Sequence, residues 1–396
     1  MFFEIKTNII YKNAKNILRS RIMALQGIKK LPVLLEDKQA LSLYKKLAIV
    51  NKVLGKLDAV LESSIINSSI LSLLSYNESV QSTRIEGTQV TFHEIMETAK
   101  VGAKNWQQRE VFNYKKAIDF GFHKIKKGDV ITTRLIKDLH RLLMSDEARG
   151  TTSNGGEFRK IQNFIGPDKD IENASYIPIP ANEIGAFMTN LEFFINGEYH
   201  SSLECGRTQE SINFNSDILL RIAVAHAQFE SIHPFLDGNG RLGRILIALM
   251  SVQEGLLKHP IFFVSEELEK ERIRYYNALN ATRGENPDWN LWLNLFLNAS
   301  EQMAKNILKK IRNADEHAKK GLSVCVTQTQ KTVWLATFSF PVSTAKQLAE
   351  ATEFHPATVK KALDFLVGEG LLDKDNSVKR NVPYYNYDLI RAIQNY

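Results

Sequence analysis

Over residues 31–99 the apolar positions recur at three- and four-residue spacing, as in LYKKLAIVNKVLGKLDAVL, which predicts helix rather than strand. Gly87 and the β-branched Thr88, Val90 and Thr91 weaken helix after Ile85, and Thr91 with Glu94 offers a capping box for a new start. STRIEGT, residues 82–88, therefore falls near a helix end. Helical spacing returns over 109–126 and 132–143. Residues 149–182 are of another kind: GTTSNGGEFRK, GPDKD and YIPIP read as loops with a short hairpin, and long loops inside a compact domain commonly carry function. Further helices are expected at 183–194, 216–231, 241–254 and 266–279, followed by a break at TRGENPDW and a long amphipathic run over 289–320. In the last part, STAKQLAEATEFHPATVKKALDFLVGEGLL predicts two short helices around a turn and SVKRNVPYYNY a two-strand wing, the pattern of a winged helix-turn-helix.

Composition narrows this picture without changing it. The 396 residues suffice for two or three cores, and 44% apolar with 24% charged residues excludes disorder and collagen-like repeats. Cys205 and Cys325 stand in no CxxC or Cys/His spacing, so neither a disulfide framework nor a structural zinc site is indicated, and a reducing, cytoplasmic setting is expected. The start MFFEIKTNIIYKNAK lacks a leader pattern, and no stretch has the length of a membrane span. Residues 1–50 carry ten Lys/Arg against three acids, and residues 301–396 fourteen against ten. Such basic ends suit nucleic acid, an acidic protein or anionic lipid, or simply a solvated face.

The chemistry concentrates at 233–244, HPFLDGNGRLGR, ahead of the apolar run ILIALM. Gly238 and Gly240 let consecutive backbone N–H groups form an anion nest, and the helix that follows adds the positive end of its dipole. Arg241 and Arg244, three apart on its first turn, project in neighbouring directions and each suits a phosphate oxygen, which points to a triphosphate. Asp237 suits a Mg²⁺ bridging phosphates, and His233 is the one side chain of the segment that titrates near neutrality, hence the natural general base. A P-loop or a dinucleotide fold fits less well, because GNGRLG follows a helix and no Lys-Ser/Thr occurs in it.

Residues 233–244 match every fixed position of the motif HxFx[DE]GNGRxxR and resemble the Fic family. GGEFRK, QNFIGP and YIPIP before the motif, RYYNAL and DWNLWLNLFL after it, and the helical segment with STRIEGT upstream extend the resemblance over about residues 30–300. It implies an all-α, mainly helical chain: an N-terminal helical domain with an inhibitory helix (1–98), a Fic core with a short β-hairpin flap (99–300), a helical linker (301–325) and the winged helix-turn-helix (326–396). It implies a protein adenylyltransferase moving AMP from ATP to a Ser, Thr or Tyr hydroxyl of a target protein, or of the chain itself. His233 would be the base and Asp237 the Mg²⁺ ligand. The ATP-binding run would be Gly238, Asn239, Gly240, Arg241, Leu242, Gly243 and Arg244, with Arg241 on the β- and Arg244 on the γ-phosphate. Phe235 would be a packing anchor, Tyr276 and Asn277 would contact adenosine, and Ser175, Tyr176, Ile177 and Pro178 would form the flap that pairs with a target backbone. Relatives often form homodimers.

STRIEGT also carries the [ST]xxxE[GN] pattern of the family's inhibitory helix. Ser82 and Glu86, four apart, share a helix face. Docked on the nucleotide site, Glu86 would pair bidentately with Arg244 and Ser82 would hydrogen-bond near Asn239, denying the γ-phosphate its guanidinium. A second reading makes the chain a DNA-binding or toxin–antitoxin-like regulator whose core senses nucleotide, with Lys346, Lys360, Lys361, Lys379 and Arg380 on DNA phosphates; winged helices serve equally as protein-docking modules.

Overall fold

The structure is a computed structural model that describes residues 24–35, 37–99, 102–145, 155–166, 170–198, 200, 201, 203, 211–213 and 215–394. Cys205, the basic residues before position 24 and parts of the 149–182 stretch lie outside them. Two short strands come first, β1 (Leu25–Gln26) and β2 (Val33–Leu34), followed by helices α1 (Asp37–Ser63), α2 (Asn67–Ile85), α3 (Phe92–Thr98), α4 (Trp106–Lys126) and α5 (Thr133–Leu143). Next are β3 (Tyr176–Ile177), α6 (Ile184–Asn196), β4 (Ser211–Ile212), α7 (Ile218–Ile232), α8 (Asn239–Gln253), α9 (Ser265–Lys270), α10 (Arg272–Ala281) and the 36-residue α11 (Trp289–Val324). The chain closes with α12 (Gln328–Ser339), β5 (Val342–Thr344), α13 (Ala345–Thr352), α14 (Pro356–Gly368), β6 (Asp373–Lys374), β7 (Pro383–Tyr385) and α15 (Tyr387–Gln394). The fold is all-α with two small strand pairs and one three-stranded sheet.

At its centre stands α7. Every residue from Leu219 to Ile232 is buried, as expected for a helix surrounded by others, and α6, α8 and α11 pack around it. Trp292 of α11 donates its indole N–H to Ala223 O in α7 at 2.8 Å. α4 and α5 cover α8 from the far side, and α1 lies along α11. Helix starts follow local chemistry: Thr91 and Glu94 close the expected capping box on α3, Thr132 caps α5, and Thr327 with Gln330 and Thr344 with Gln347 cap α12 and α13.

Three expectations need correction. The helix expected over 266–279 breaks at Glu271, whose φ of −112° and ψ of 32° are not helical, and so divides into α9 and α10. The strands β6 and β7 begin at Asp373 and Pro383, so the first precedes SVKRNVPYYNY, and β5 adds a third strand in the order β5-β7-β6. Finally, the segment before α1 contains strands: β1 runs parallel to β3, and β2 pairs antiparallel with β4. No helix among the described residues is long and apolar enough to cross a membrane.

Candidate active site

His233 sits where α7 stops. Its φ of 49° puts a non-glycine residue in the left-handed region, its N–H still bonds Phe229 O at 3.0 Å, and Pro234 prevents the helix from continuing. The buried Arg159 holds this strained turn. Its Nε donates to His233 O (2.9 Å), its guanidinium also reaches Ile232 O, Ile179 O and Ile161 O, and its backbone N–H bonds Pro234 O (2.9 Å). His233 Nδ1 lies 3.2 Å from Glu230 O; a carbonyl only accepts, so Nδ1 carries the proton and Nε2 keeps its lone pair. Burial, with Arg283 and Arg159 nearby, pushes the imidazole down to about 4 against the pull of that carbonyl, so it is neutral at neutral pH.

The turn after His233 is a cradle. Gly238, at φ 79°, caps α8, and a Cβ there would crowd Met144 and His140. Asn239 spends its side chain on the loop, accepting from Phe235 N (3.0 Å) and donating to Phe235 O (2.9 Å). The first intrahelical bond is Leu242 N to Gly238 O, which leaves the N–H groups of Asn239, Gly240 and Arg241 unused by the helix, as anion binding requires. Leu242 itself departs from its expected role: its N–H closes that turn and its side chain is buried in the core. Gly243 faces Glu230 and His226 on the buried side. His140 supports the loop from behind. Its Nδ1 accepts from Gly156 N (2.8 Å), so Nε2–H donates to Asp237 O (3.0 Å), and its ring stacks on Phe235 at 3.8 Å.

The two arginines diverge. Arg241 points away from the cleft, into a buried ion pair with Glu110 of α4 (3.1 Å) and a contact with Asp237 Oδ1 (3.2 Å). Arg244, its side chain 1% exposed, meets the end of α2. Its Nη2 donates to Glu86 Oε1 (2.7 Å) and to Ser82 O (3.0 Å), and its Nε to Ser82 Oγ (2.8 Å). The pairing with Glu86 is therefore single-pronged rather than bidentate, with Ser82 taking Nε and the second N–H of Nη2. Ser82 bonds Arg244 and not the neighbourhood of Asn239, whose amide is committed to Phe235. The Glu86 carboxylate rests against Gly240, where an added Cβ would strike it. Burial would raise this carboxyl, but Arg244 outweighs it and holds the group below the usual carboxylate range.

Glu86, His233, Gly240 and Arg244 line one cleft of about 670 Å³ together with Tyr276 and Asn277 of α10. Tyr276 is 42% exposed, while its neighbour Tyr275 is buried with its hydroxyl 2.9 Å from His226 Nε2. Two wall residues were not foreseen from sequence. Glu230, one turn before His233, is buried with Oε1 unpartnered among the described residues, and burial pushes it up to about 7. Arg283 donates to Ser231 Oγ (3.0 Å) and Asn280 Oδ1 (2.6 Å) and covers the Tyr176 ring at 4.0 Å. The only sequence-level sign of either was a charge embedded in an apolar helix or beside a break.

The flap differs from expectation. Tyr176 pairs with Ile165 in a single antiparallel bridge, and on the other side Ser175 O and Ile177 O accept from Leu25 N (3.1 Å) and Gly27 N (3.3 Å). Tyr176 thus has strand partners on both sides, Ile177 pairs with β1, and Pro178 O accepts from Gln162 Nε2 (2.9 Å). Tyr176 is an anchor, buried with its hydroxyl on Ser231 O at 2.7 Å. The flap residues that line the cleft are Phe164, Ile165, Gly166 and Ser175.

The Asp237 side chain is 44% exposed, and among the described residues Oδ1 alone is engaged, by Gly238 N (2.6 Å) and Arg241. A half-open carboxylate with one oxygen uncommitted fits a hard cation. Among the described residues no group of three or more His, Cys, Asp or Glu could hold a metal, so such a cation would draw its other ligands from phosphate and water.

Known proteins resemble this chain in sequence and in fold. Curated relatives named "Protein adenylyltransferase Fic" from Drosophila willistoni and Drosophila virilis are 27% identical over 203 residues and 28% over 149, covering 50% and 38% of this chain. That is 35% and 24% of the relatives, so the chain spans about a third or less of their length. Among solved structures, a Fic family protein from Desulfovibrio desulfuricans G20 superposes with a TM-score of 0.53 at 16% identity, covering 90% of this chain and 97% of that one. A Fic-domain signalling protein from Bacteroides thetaiotaomicron VPI-5482 gives 0.50 at 17%, covering 66% and 97%. These two show the fold alone. Residues 130–251 match the Fic/DOC family and residues 44–123 the Fic/DOC family N-terminal region, together about half of the sequence, and the chain belongs to the Fic/DOC family.

Proposed function

We propose that this chain is a protein adenylyltransferase that moves AMP from ATP to a Ser, Thr or Tyr hydroxyl of a target protein, held silent by Glu86. The observation that carries the reading is the cleft shared by a neutral His233 with a free Nε2, the open N–H groups at the start of α8, and Arg244. The relatives' name supports it. As the target oxygen attacks the α-phosphorus of ATP, its proton passes to His233 Nε2; the new O–P bond forms while the bond from that phosphorus to the departing pyrophosphate breaks. The N–H groups of Asn239, Gly240 and Arg241 bind phosphate oxygens, and Tyr276 and Asn277 border the adenosine. Asp237 would hold Mg²⁺, which when bound supplies charge neutralisation on the phosphates. Arg241, tied to Glu110 and Asp237, stiffens the loop and reaches the β-phosphate only by leaving Asp237.

Inhibition follows from occupancy. Arg244 cannot receive the γ-phosphate while Glu86 and Ser82 hold it, and the Glu86 carboxylate adds negative charge at Gly240. A target backbone would pair beside Phe164 and Gly166 or displace residues 25–27 from the flap. Incubating the chain and its Glu86→Gly variant with a lysate and ATP labelled on either the α- or the γ-phosphate tests the reaction. Label on protein from the α position only is expected; label from the γ position would mean phosphoryl transfer instead.

The DNA-binding reading has its own observation, the exposure of Lys346, Lys360, Lys361, Lys379 and Arg380 around α13, α14 and the β6–β7 turn. Duplex binding that weakens steeply with salt and is lost on charge reversal at Lys360 and Lys361 would support it alongside the enzyme.

A further inference from the structure

The inhibitory helix carries a polar stripe longer than the STRIEGT pattern. Glu78, Ser82 and Glu86 recur at four-residue intervals along α2 and its C-cap, and they meet three parts of the core. Glu86 and Ser82 engage Arg244 of α8, as described. Glu78, two turns earlier and buried, accepts at Oε1 from the Tyr114 hydroxyl of α4 (3.2 Å) and from Ser265 Oγ, and at Oε2 from Ser265 N (3.3 Å). The Tyr114 hydroxyl also interacts with Ser82, and Ser265 opens α9, the helix that leads into α10 with Tyr276 and Asn277. One carboxyl thus ties α2 to both α4 and α9.

The rest of α2 offers little to fix its position along its axis. Two of its buried hydroxyls bond back onto their own helix, Ser79 Oγ to Ser75 O (2.8 Å) and Thr83 Oγ1 to Ser79 O (2.9 Å), so they are satisfied in any register, and the buried Ser75 hydroxyl has no partner among the described residues. Its remaining outward side-chain hydrogen bonds among the described residues are the exposed pair of Ser69 and Ser339 and a long one from Asn77 to Glu266 (3.4 Å), while Tyr76 adds ring contacts with Phe112 and Lys115 of α4. Apolar packing of Leu73, Leu74 and Val80 is not directional. A slip of one residue moves a helix by about 1.5 Å and turns it by about 100°, enough to swing Glu86 off Arg244. A buried carboxyl whose three donors are met in one register alone opposes such a slip, since any other leaves it unsatisfied.

We infer that Glu78 sets the axial register of α2 and is thereby a positioning residue for the Glu86–Arg244 contact, an inference that rests on the reading of that contact as inhibitory. Burial pushes the Glu78 carboxyl up to about 7, so the neutral amide of Gln is a close substitute. The test is ATP affinity by calorimetry, which needs no target protein, for Glu78→Ala and Glu78→Gln in the full chain and in the Glu86→Gly variant. Glu78→Ala should tighten ATP binding about tenfold in the otherwise unaltered chain, the effect of losing one to two buried hydrogen bonds that hold the closed register. In the Glu86→Gly background, where the Glu86–Arg244 contact is already gone and only the Ser82 bonds remain, it should change affinity by clearly less, under about threefold, and Glu78→Gln should stay near the parent in both. An unchanged affinity for Glu78→Ala, or an equal change in both backgrounds, overturns the inference. If Glu78→Ala does not fold, Ser265→Ala removes one of the three donors, the hydroxyl, without touching α2; it should move ATP affinity in the same direction by a smaller factor, and its failure to do so counts equally against the proposal. Glu86→Gly alone failing to tighten ATP binding would overturn the inhibitory reading itself, a result seen without any change at Glu78.

Discussion

Replacing Glu86 by Gly should tighten ATP binding, and the size follows from the contact it removes. The Arg244–Glu86 bond is short, 2.7 Å, with the guanidinium 1% and the carboxylate 36% exposed. A charge-assisted hydrogen bond is worth about 1.5–3 kcal/mol, and the open side of Glu86 reduces that to about 1–2 kcal/mol. ATP must break this bond to place its γ-phosphate on Arg244, so its removal should tighten ATP by about 5- to 30-fold. The Ser82 bonds to Arg244 remain in both proteins and cancel. AMP, which lacks the γ-phosphate, should gain much less. Calorimetric titration of both proteins with ATP and with AMP measures the difference, and an equal gain for the two nucleotides, or none for ATP, would refute the assignment of Arg244 to the γ-phosphate.

Other outcomes follow from the same geometry. With His233 held down to about 4, transfer by the Glu86→Gly variant should stay flat from neutral pH to about 5 and fall only as the imidazole gains a proton near 4; because Glu86 contributed a raising influence, its loss moves that limb lower, and a fall centred near 6.5 would contradict the buried setting. Glu110→Ala leaves Arg241 buried with only the half-open Asp237 as partner and should cost about 3 kcal/mol of stability in urea unfolding, the usual penalty for half of a buried pair; a midpoint unchanged from the parent would show the pair is dispensable. Arg159→Lys cannot reproduce the fan of bonds around His233 and should lower the transfer rate by about 10- to 100-fold with ATP affinity unchanged, whereas a loss of affinity would place Arg159 in nucleotide binding.

What was readable beforehand was what lies close together in the chain. HPFLDGNGRLGR packs its base, nest and arginines into one turn and one helix start, so local geometry sufficed there. Capping at Thr91 and Glu94 was legible for the same reason. STRIEGT placed Ser82 and Glu86 on one helix face, whereas their docking on Arg244, 158 positions from Glu86, was implied by the family resemblance. The partners that hold these groups come from elsewhere. Arg159 reaches His233 across 74 positions, Glu110 reaches Arg241 from α4, and Ser265 meets Glu78 across 187, pairings that periodicity does not encode. The pairing of Leu25–Gln26 with Tyr176–Ile177 was equally hidden, because two-residue strands leave no alternating pattern. Arg241 and Arg244 looked equivalent at their spacing. Only the packing of α4 and α2 against α8 directs one to a buried carboxylate and the other to the cleft.

The central claim is that His233 performs adenylyl transfer in a cleft that Glu86 keeps closed. Transfer of label from α-phosphate-labelled ATP onto protein, measured side by side for the unaltered chain, Glu86→Gly and Glu86→Gly with His233→Ala, tests it most directly. The account predicts a nearly silent parent, strong labelling by Glu86→Gly, and silence again in the double variant with ATP affinity retained. Equal labelling by the parent and Glu86→Gly, or persistent labelling without His233, would contradict it.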